Sequence, residues 1–156
     1  MRETVIRTWK KVFEPDLSYI AYELREIVET PALVILEGPL GAGKTSFVKC
    51  FVDGDEAAMS PSYSLLNEVK DILHGDFYRI KDREEVIHLE IPLYLENKNF
   101  FLVEWGKKHI DSIIRELPED FSLYQLNVDI NNIESFEENT EELESRNYTL
   151  MALKEY

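Results

Sequence analysis

Eight consecutive residues, Gly38-Pro39-Leu40-Gly41-Ala42-Gly43-Lys44-Thr45, fit the pattern G-x-x-x-x-G-K-[ST] at every required position. The chemistry implied is the holding of a nucleotide triphosphate. Glycines let successive backbone N–H groups curl around an anion and approach it closely. A helix opening at Gly43-Lys44 points its partly positive end at the same phosphates. Lys44 then reaches the β- and γ-phosphates, and the Thr45 hydroxyl serves as a ligand for Mg²⁺. Binding alone is not hydrolysis, which also needs metal-coordinating acids and a group that positions the attacking water.

Three further features are candidates for that work. Glu104 follows the apolar run Phe100-Phe101-Leu102-Val103. It therefore sits at the carboxyl end of a strand, where open α/β sheets place their ligands. It either holds Mg²⁺ through water or orients the attacking water, the alternative being a glutamate exposed at the sheet rim. Asp76 lies in His74-Gly75-Asp76-Phe77-Tyr78-Arg79, where alternation puts His74, Asp76 and Tyr78 on one face. Residue types alone leave a metal ligand and a turn aspartate both open there. Ser60-Pro61-Ser62-Tyr63-Ser64 is hydroxyl-rich and fixed by proline, as in a switch loop that contacts γ-phosphate or metal, or an ordinary loop. Asn97-Lys98-Asn99-Phe100 lacks the aspartate of a guanine-reading N-K-x-D and precedes a strand, so guanine specificity has no support.

The elements that must position these residues follow from periodicity. Ala32 to Leu36 reads as a buried strand feeding the phosphate loop, and Thr45 to Phe51 as the helix leaving it. Thr4 to Trp9 alternates as a strand. Asp16 is placed to cap a helix carrying Leu17, Ile20, Ala21, Leu24, Ile27 and Val28 on one face. Asp53-Gly54-Asp55 turns the chain. Ser62 to Val69 and Ile72 to Tyr78 form a hairpin joined near Lys70-Asp71. Asp82 starts a short helix to Leu89, with another helical turn in Ile91 to Glu96. Phe100 to Val103 is a central parallel strand. Lys107 to Leu117 is a helix with Ile110, Ile113, Ile114 and Leu117 on one face. Phe121 to Ile130 and Tyr148 to Leu153 are extended. Between them, Ile133 to Arg146 carries six glutamates and one arginine and reads as a solvated loop or hairpin tip. The fold class is α/β: a P-loop NTPase-like three-layer sandwich, its sheet mostly parallel with antiparallel edge strands, in one domain over residues 1–156.

Charge and composition narrow the function. With 31 acids against 17 bases the net charge is −14, which opposes direct binding to a polyanion such as DNA. Contact with nucleic acid therefore calls for a partner that supplies positive surface. No apolar run reaches the roughly 18 residues of a membrane span, and the N-terminus lacks a signal peptide's apolar stretch. The lone Cys50 excludes an internal disulfide and a multi-cysteine metal site. A cytoplasmic setting is expected.

Four motifs in register, Gly38 to Thr45, Ser60-Pro61-Ser62-Tyr63-Ser64-Leu65, His74 to Arg79 and Val103-Glu104-Trp105, resemble the TsaE (YjeE) family. In that family they appear as G-x-L-G-A-G-K-T, S-P-T-F, H-x-D-x-Y-R and I-E-W. The resemblance spans the chain up to Trp105, and length and order fit beyond it. It implies a P-loop fold, an ATPase with ATP and Mg²⁺ in one site, and a part in forming threonylcarbamoyladenosine beside the tRNA anticodon. The implied partners are TsaB and TsaD, with tRNA contacted indirectly through them. It implies that Gly38, Leu40, Gly41, Ala42, Gly43, Lys44, Thr45 and Ser46 bind the nucleotide, with Trp105 packed near it. Thr45, Asp76 and Glu104 would serve the metal, and Lys44, Ser62 and Glu104 catalysis. Ser62 replaces the family's threonine, keeping the hydroxyl without the methyl that limits its rotamers. Asp82 to Asn97 lacks an expected glycine, and the glutamate-rich stretch is lengthened. Two other readings remain: a small-molecule or nucleoside kinase, for which Arg79, Arg83, Arg115 and Arg146 are too scattered to form a lid, and a nucleotide-sensing module without useful hydrolysis.

Overall fold

Residues Ala32, Leu33, Val34, Ile35 and Leu36 are all completely buried, so their strand must be covered on both faces. The computed structural model describes residues 1–39, 41–52, 65–131 and 145–155, and supplies that cover. In chain order the regular elements are β1 (Arg2–Val12), α1 (Leu17–Ile27), β2 (Ala32–Glu37), α2 (Lys44–Phe51), β3 (Leu66–Val69), β4 (Ile72–Asp76), α3 (Arg83–His88), β5 (Phe100–Glu104), α4 (Ile110–Arg115), β6 (Ser122–Ile130) and β7 (Arg146–Lys154). Seven strands form one sheet in the order β1-β7-β6-β2-β5-β4-β3. The four central strands, β6, β2, β5 and β4, are parallel to one another. At one edge β7 and β1 are antiparallel, and at the other β3 is.

Alternation along β2 and β5 divides the interior into two cores. Ala32, Val34, Leu36, Phe100 and Leu102 join Leu24 of α1 and Phe47 and Phe51 of α2 on one face. Leu33, Ile35, Phe101 and Val103 join Val86 of α3 and Ile113 of α4 on the other. Burying one large apolar side chain contributes about 1.5–3 kcal/mol, and both faces of the central strands do so. The result is the α/β sandwich expected, with its parallel centre and antiparallel edges.

Three local expectations are corrected. Asp16 does not cap α1: Glu14–Asp16 form a 3₁₀ turn ahead of it, and the Asp16 carboxylate instead accepts from Phe13 N at 3.2 Å. The predicted helix Lys107 to Leu117 is a 3₁₀ turn, Lys107–His109, followed by α4. His109 breaks it, because its ring is buried and bonded to the Ile80 carbonyl at 3.0 Å, with backbone angles outside the helical range. Arg146, expected at the tip of the acidic stretch, begins β7; residues 132–144 lie outside the described residues. So do Asp53 to Asp55 and the start of the hairpin before Leu65. Asp82 does cap its helix, accepting from Glu85 N at 3.0 Å. Among the described residues, no helix is long and apolar enough to cross a membrane.

Candidate functional site

Every sequence feature singled out for chemistry within the described residues converges on the carboxyl ends of β2, β4 and β5. β2 delivers the phosphate loop, and α2 leaves from it with Gly43 as its first flanking residue. Gly43 adopts φ 100°, in the left-handed region that glycine enters without penalty. Gly38 is required for a different reason: a Cβ there would lie 2.5 Å from the Val128 carbonyl oxygen of β6.

Lys44 is buried at 5% exposure. Its Nζ donates to the Gly38 carbonyl at 2.6 Å and lies 3.3 Å from the centroid of the Trp105 ring. Burial pushes its pKa below the ordinary lysine value, against the opposing pull of Glu37, Glu104 and Asp76. A polyphosphate would add to the negative charge that already acts on this ammonium.

Glu104 ends β5 at 5% exposure, which rules out a rim glutamate. Its Oε1 accepts from the Thr45 hydroxyl at 2.9 Å and its Oε2 meets His74 Nε2 at 2.7 Å. Burial alone would raise its pKa. The hydrogen bond and charge of His74, the Thr45 hydroxyl and the Lys44 charge outweigh that, holding the carboxyl below its usual range. Glu104 is therefore an ionised, buried carboxylate aimed at the first turn of α2. His74 stands two residues before Asp76 on the same face of β4, and its Nδ1 has no hydrogen-bond partner among the described residues.

Asp76 pairs with Glu104 in the β4–β5 register. It is exposed, and its Oδ1 accepts from Tyr78 N at 3.1 Å, the geometry of a turn aspartate, yet its charge still reaches Lys44. Trp105 takes φ 60°, unusual for a large side chain, and packs edge-on against Tyr78 with centroids 5.1 Å apart.

A cavity of about 280 Å³ is lined by Gly41, Ala42, Gly43, Lys44, Thr45, Ser46, Glu104, Trp105 and Arg146. Six of the candidates, from Gly41 to Ser46, thus form one wall, with Glu104 and Trp105 facing them. Gly38 touches this group through Lys44, and Asp76 is outside the lining. Leu40 and Ser62 lie outside the described residues. The set suits Mg²⁺, which takes hard oxygen donors and is held by one or two carboxylates plus phosphate oxygens and water. Thr45 and Glu104 supply one hydroxyl and one carboxylate in direct contact. Among the described residues no cluster of three His, Cys, Asp or Glu forms a protein-only cage, so the ion's other ligands would be phosphate and water.

Sequence reasoning missed two neighbours. His74 was quoted within its motif, but its pairing with Glu104 depends on the β4–β5 register. Arg146 reaches the loop from 105 residues away, its Nη2 donating to the Gly41 carbonyl at 3.2 Å; only its charge signalled it.

Known proteins resemble this chain in sequence and in fold. The family model described as "Threonylcarbamoyl adenosine biosynthesis protein TsaE" matches residues 14–148. A Bacillus subtilis protein named tRNA threonylcarbamoyladenosine biosynthesis protein TsaE is 31% identical over 119 residues, 72% of each chain. Its namesake from Rickettsia conorii is 35% identical over 107 residues, 62% of this chain, and the match spans 61% of that protein's length. Among solved structures, YdiB of Bacillus subtilis superposes with a TM-score of 0.61 over 99% of this chain and 89% of its own, at 22% identity. That likeness bears on the fold, a P-loop fold.

Proposed function

The chain belongs to the TsaE family, and from that premise we propose that it is a Mg²⁺-dependent ATPase serving threonylcarbamoyladenosine formation in tRNA. In this reading it works in the cytoplasm with TsaB and TsaD homologues, which carry the contact with tRNA. The observation that carries the reading is the Thr45–Glu104–His74 chain set against the phosphate loop. Binding needs only the loop; a buried, ionised carboxylate at its mouth is costly unless it has work to do.

The loop amides and Lys44 hold the polyphosphate, with Lys44 exchanging its contacts to Gly38 and Trp105 for phosphate oxygens. Mg²⁺, when bound near Thr45 and Glu104, supplies positive charge to the phosphate oxygens. Glu104 accepts a hydrogen bond from the attacking water and orients it, while His74 fixes the carboxylate's rotamer from behind. Trp105 closes one wall and limits bulk water. Ser62 and Asp76 keep the roles the family resemblance gives them, a switch hydroxyl and a metal-side acid. Turnover is slow alone, and the partners complete the site.

A kinase reading draws on one feature, a cleft of about 490 Å³ beyond Trp105 lined by Tyr78, Lys107 and Lys108 among others, where a phosphate acceptor would sit. One experiment separates the two: ATP turnover by the purified chain, alone and with TsaB and TsaD homologues. Slow turnover that rises with both partners, and vanishes in Lys44→Ala, is expected. No turnover under any condition contradicts the ATPase reading; phosphate transferred to an added nucleoside or metabolite favours the kinase.

A further inference from the structure

Arg146 sits at the first position of β7, paired with Val12 of β1 on one side and Ile130 of β6 on the other. An arginine held by two strands is placed by the sheet rather than by a loop, the kind of support that fixes a side chain's direction. Its Nη2 donates to the Gly41 carbonyl at 3.2 Å. Its Nε lies 3.3 Å from where a Cβ on Gly43 would stand. The guanidinium thus covers two of the three loop glycines and lines the same cavity as Lys44 and Thr45.

Gly41 most needs such a restraint. It adopts φ 78°, and among the described residues, its chain neighbours aside, nothing lies within 4 Å of its ideal Cβ position. Side chains therefore do not hold it, and within the loop the N–H of its peptide with Ala42 is restrained by one bond, to the Pro39 carbonyl at 3.0 Å. An anion cradle works only while its N–H groups converge, and a rotated peptide would offer phosphate a carbonyl instead. The hydrogen bond from Arg146 fixes that carbonyl, and the guanidinium adds positive charge to the cavity wall. We propose that Arg146 is a positioning residue of the nucleotide site, fixing the Gly41 peptide so that the loop is preformed for polyphosphate. The proposal rests on the nucleotide reading above and adds to it a cation supplied by the antiparallel edge of the sheet.

The test is calorimetric titration of the full chain with MgATP and, separately, with inorganic tripolyphosphate, which has neither sugar nor base. Arg146→Met keeps the length of the stem and removes the donors. It should weaken both ligands by about tenfold or more, the loss of a hydrogen bond from a charged donor. Arg146→Lys, which retains a donor, should recover most of that loss. If the methionine variant does not fold, Arg146→Gln takes its place. The proposal is overturned if Arg146→Met, or Arg146→Gln in its place, binds both ligands within about twofold of the parent, even with a lower melting temperature. It is also overturned if only MgATP is weakened, since the arginine would then be touching sugar or base. Lys44→Ala, run in parallel, separates the two levels. If it abolishes binding while Arg146→Met does not, only the proposal fails; if it binds normally, the nucleotide reading fails with it.

Discussion

Replacing Glu104 separates its structural work from its chemical work, because its two hydrogen-bond partners differ in exposure. Thr45 is exposed, so water takes over its hydrogen bond in Glu104→Ala at little cost. His74 is buried at 6% exposure and its Nε2 is left without a partner, a penalty of about 1–3 kcal/mol. The lost packing of the Cγ methylene adds about 0.8 kcal/mol, so Glu104→Ala should cost about 2–4 kcal/mol. Glu104→Gln keeps the shape; its one acceptor oxygen can stay with His74 while its NH₂ turns to the Thr45 hydroxyl, which then accepts, so the main loss is the charge on the bond to His74, a cost of about 1 kcal/mol. Both variants should lower ATP hydrolysis at least about a hundredfold, as expected for the loss of a positioned catalytic group. Guanidinium titration at pH 7 reads stability, and single-turnover hydrolysis of MgATP reads chemistry. The stability of the wild type carries its own signature in acid. Its Glu104 pKa lies below the ordinary 4.5, so the carboxylate's stabilisation is complete above that value and is lost as pH falls through the lowered one. Glu104→Gln should lack that part of the acid dependence. The reasoning is refuted if Glu104→Gln hydrolyses ATP within about twofold of the parent, or if it destabilises as much as Glu104→Ala.

Two other perturbations probe the surroundings. Burial lowers the Lys44 pKa in the free protein and bound phosphates would raise it, so MgATP binding should take up a proton at alkaline pH. Affinity should fall as pH rises through the lowered value, which calorimetry in two buffers of different ionisation enthalpy detects; a pH-independent affinity up to the ordinary lysine pKa would exclude Lys44 from the phosphate contacts. Phe101→Ala empties a fully buried position in the core between the sheet and α3/α4. It should cost about 3–5 kcal/mol by denaturant titration while leaving MgATP affinity at low temperature unchanged, and a large loss of affinity in a folded sample would show that the two cores are coupled.

What the sequence made legible was local. The phosphate loop, the apolar runs of β2 and β5 and the Asp82 cap are each decided by residues within a few positions of one another. Glu104 was legible too, since a carboxylate directly after four apolar residues has few other places to be. Pairings across the chain were not legible. His74 meets Glu104 only because β4 lies beside β5 in a particular register, and Arg146 meets Gly41 only because β7 lies between β1 and β6. Left-handed backbone at Lys70, Glu90 and Trp105 carries no glycine to announce it. The break at His109 is set by the Ile80 carbonyl it bonds, which no helical periodicity reveals.

The central claim is that the amides from Gly41 to Thr45, with Lys44, enclose a triphosphate whose metal sits between Thr45 and Glu104. A crystal structure of the chain with Mg²⁺ and a non-hydrolysable ATP analogue tests it most directly. The account predicts β- and γ-phosphates inside the loop, Lys44 Nζ moved from Gly38 O onto their oxygens, and the metal bound to the Thr45 hydroxyl. Nucleotide seated elsewhere, with Lys44 still on Gly38 and Thr45 still on Glu104, would contradict it.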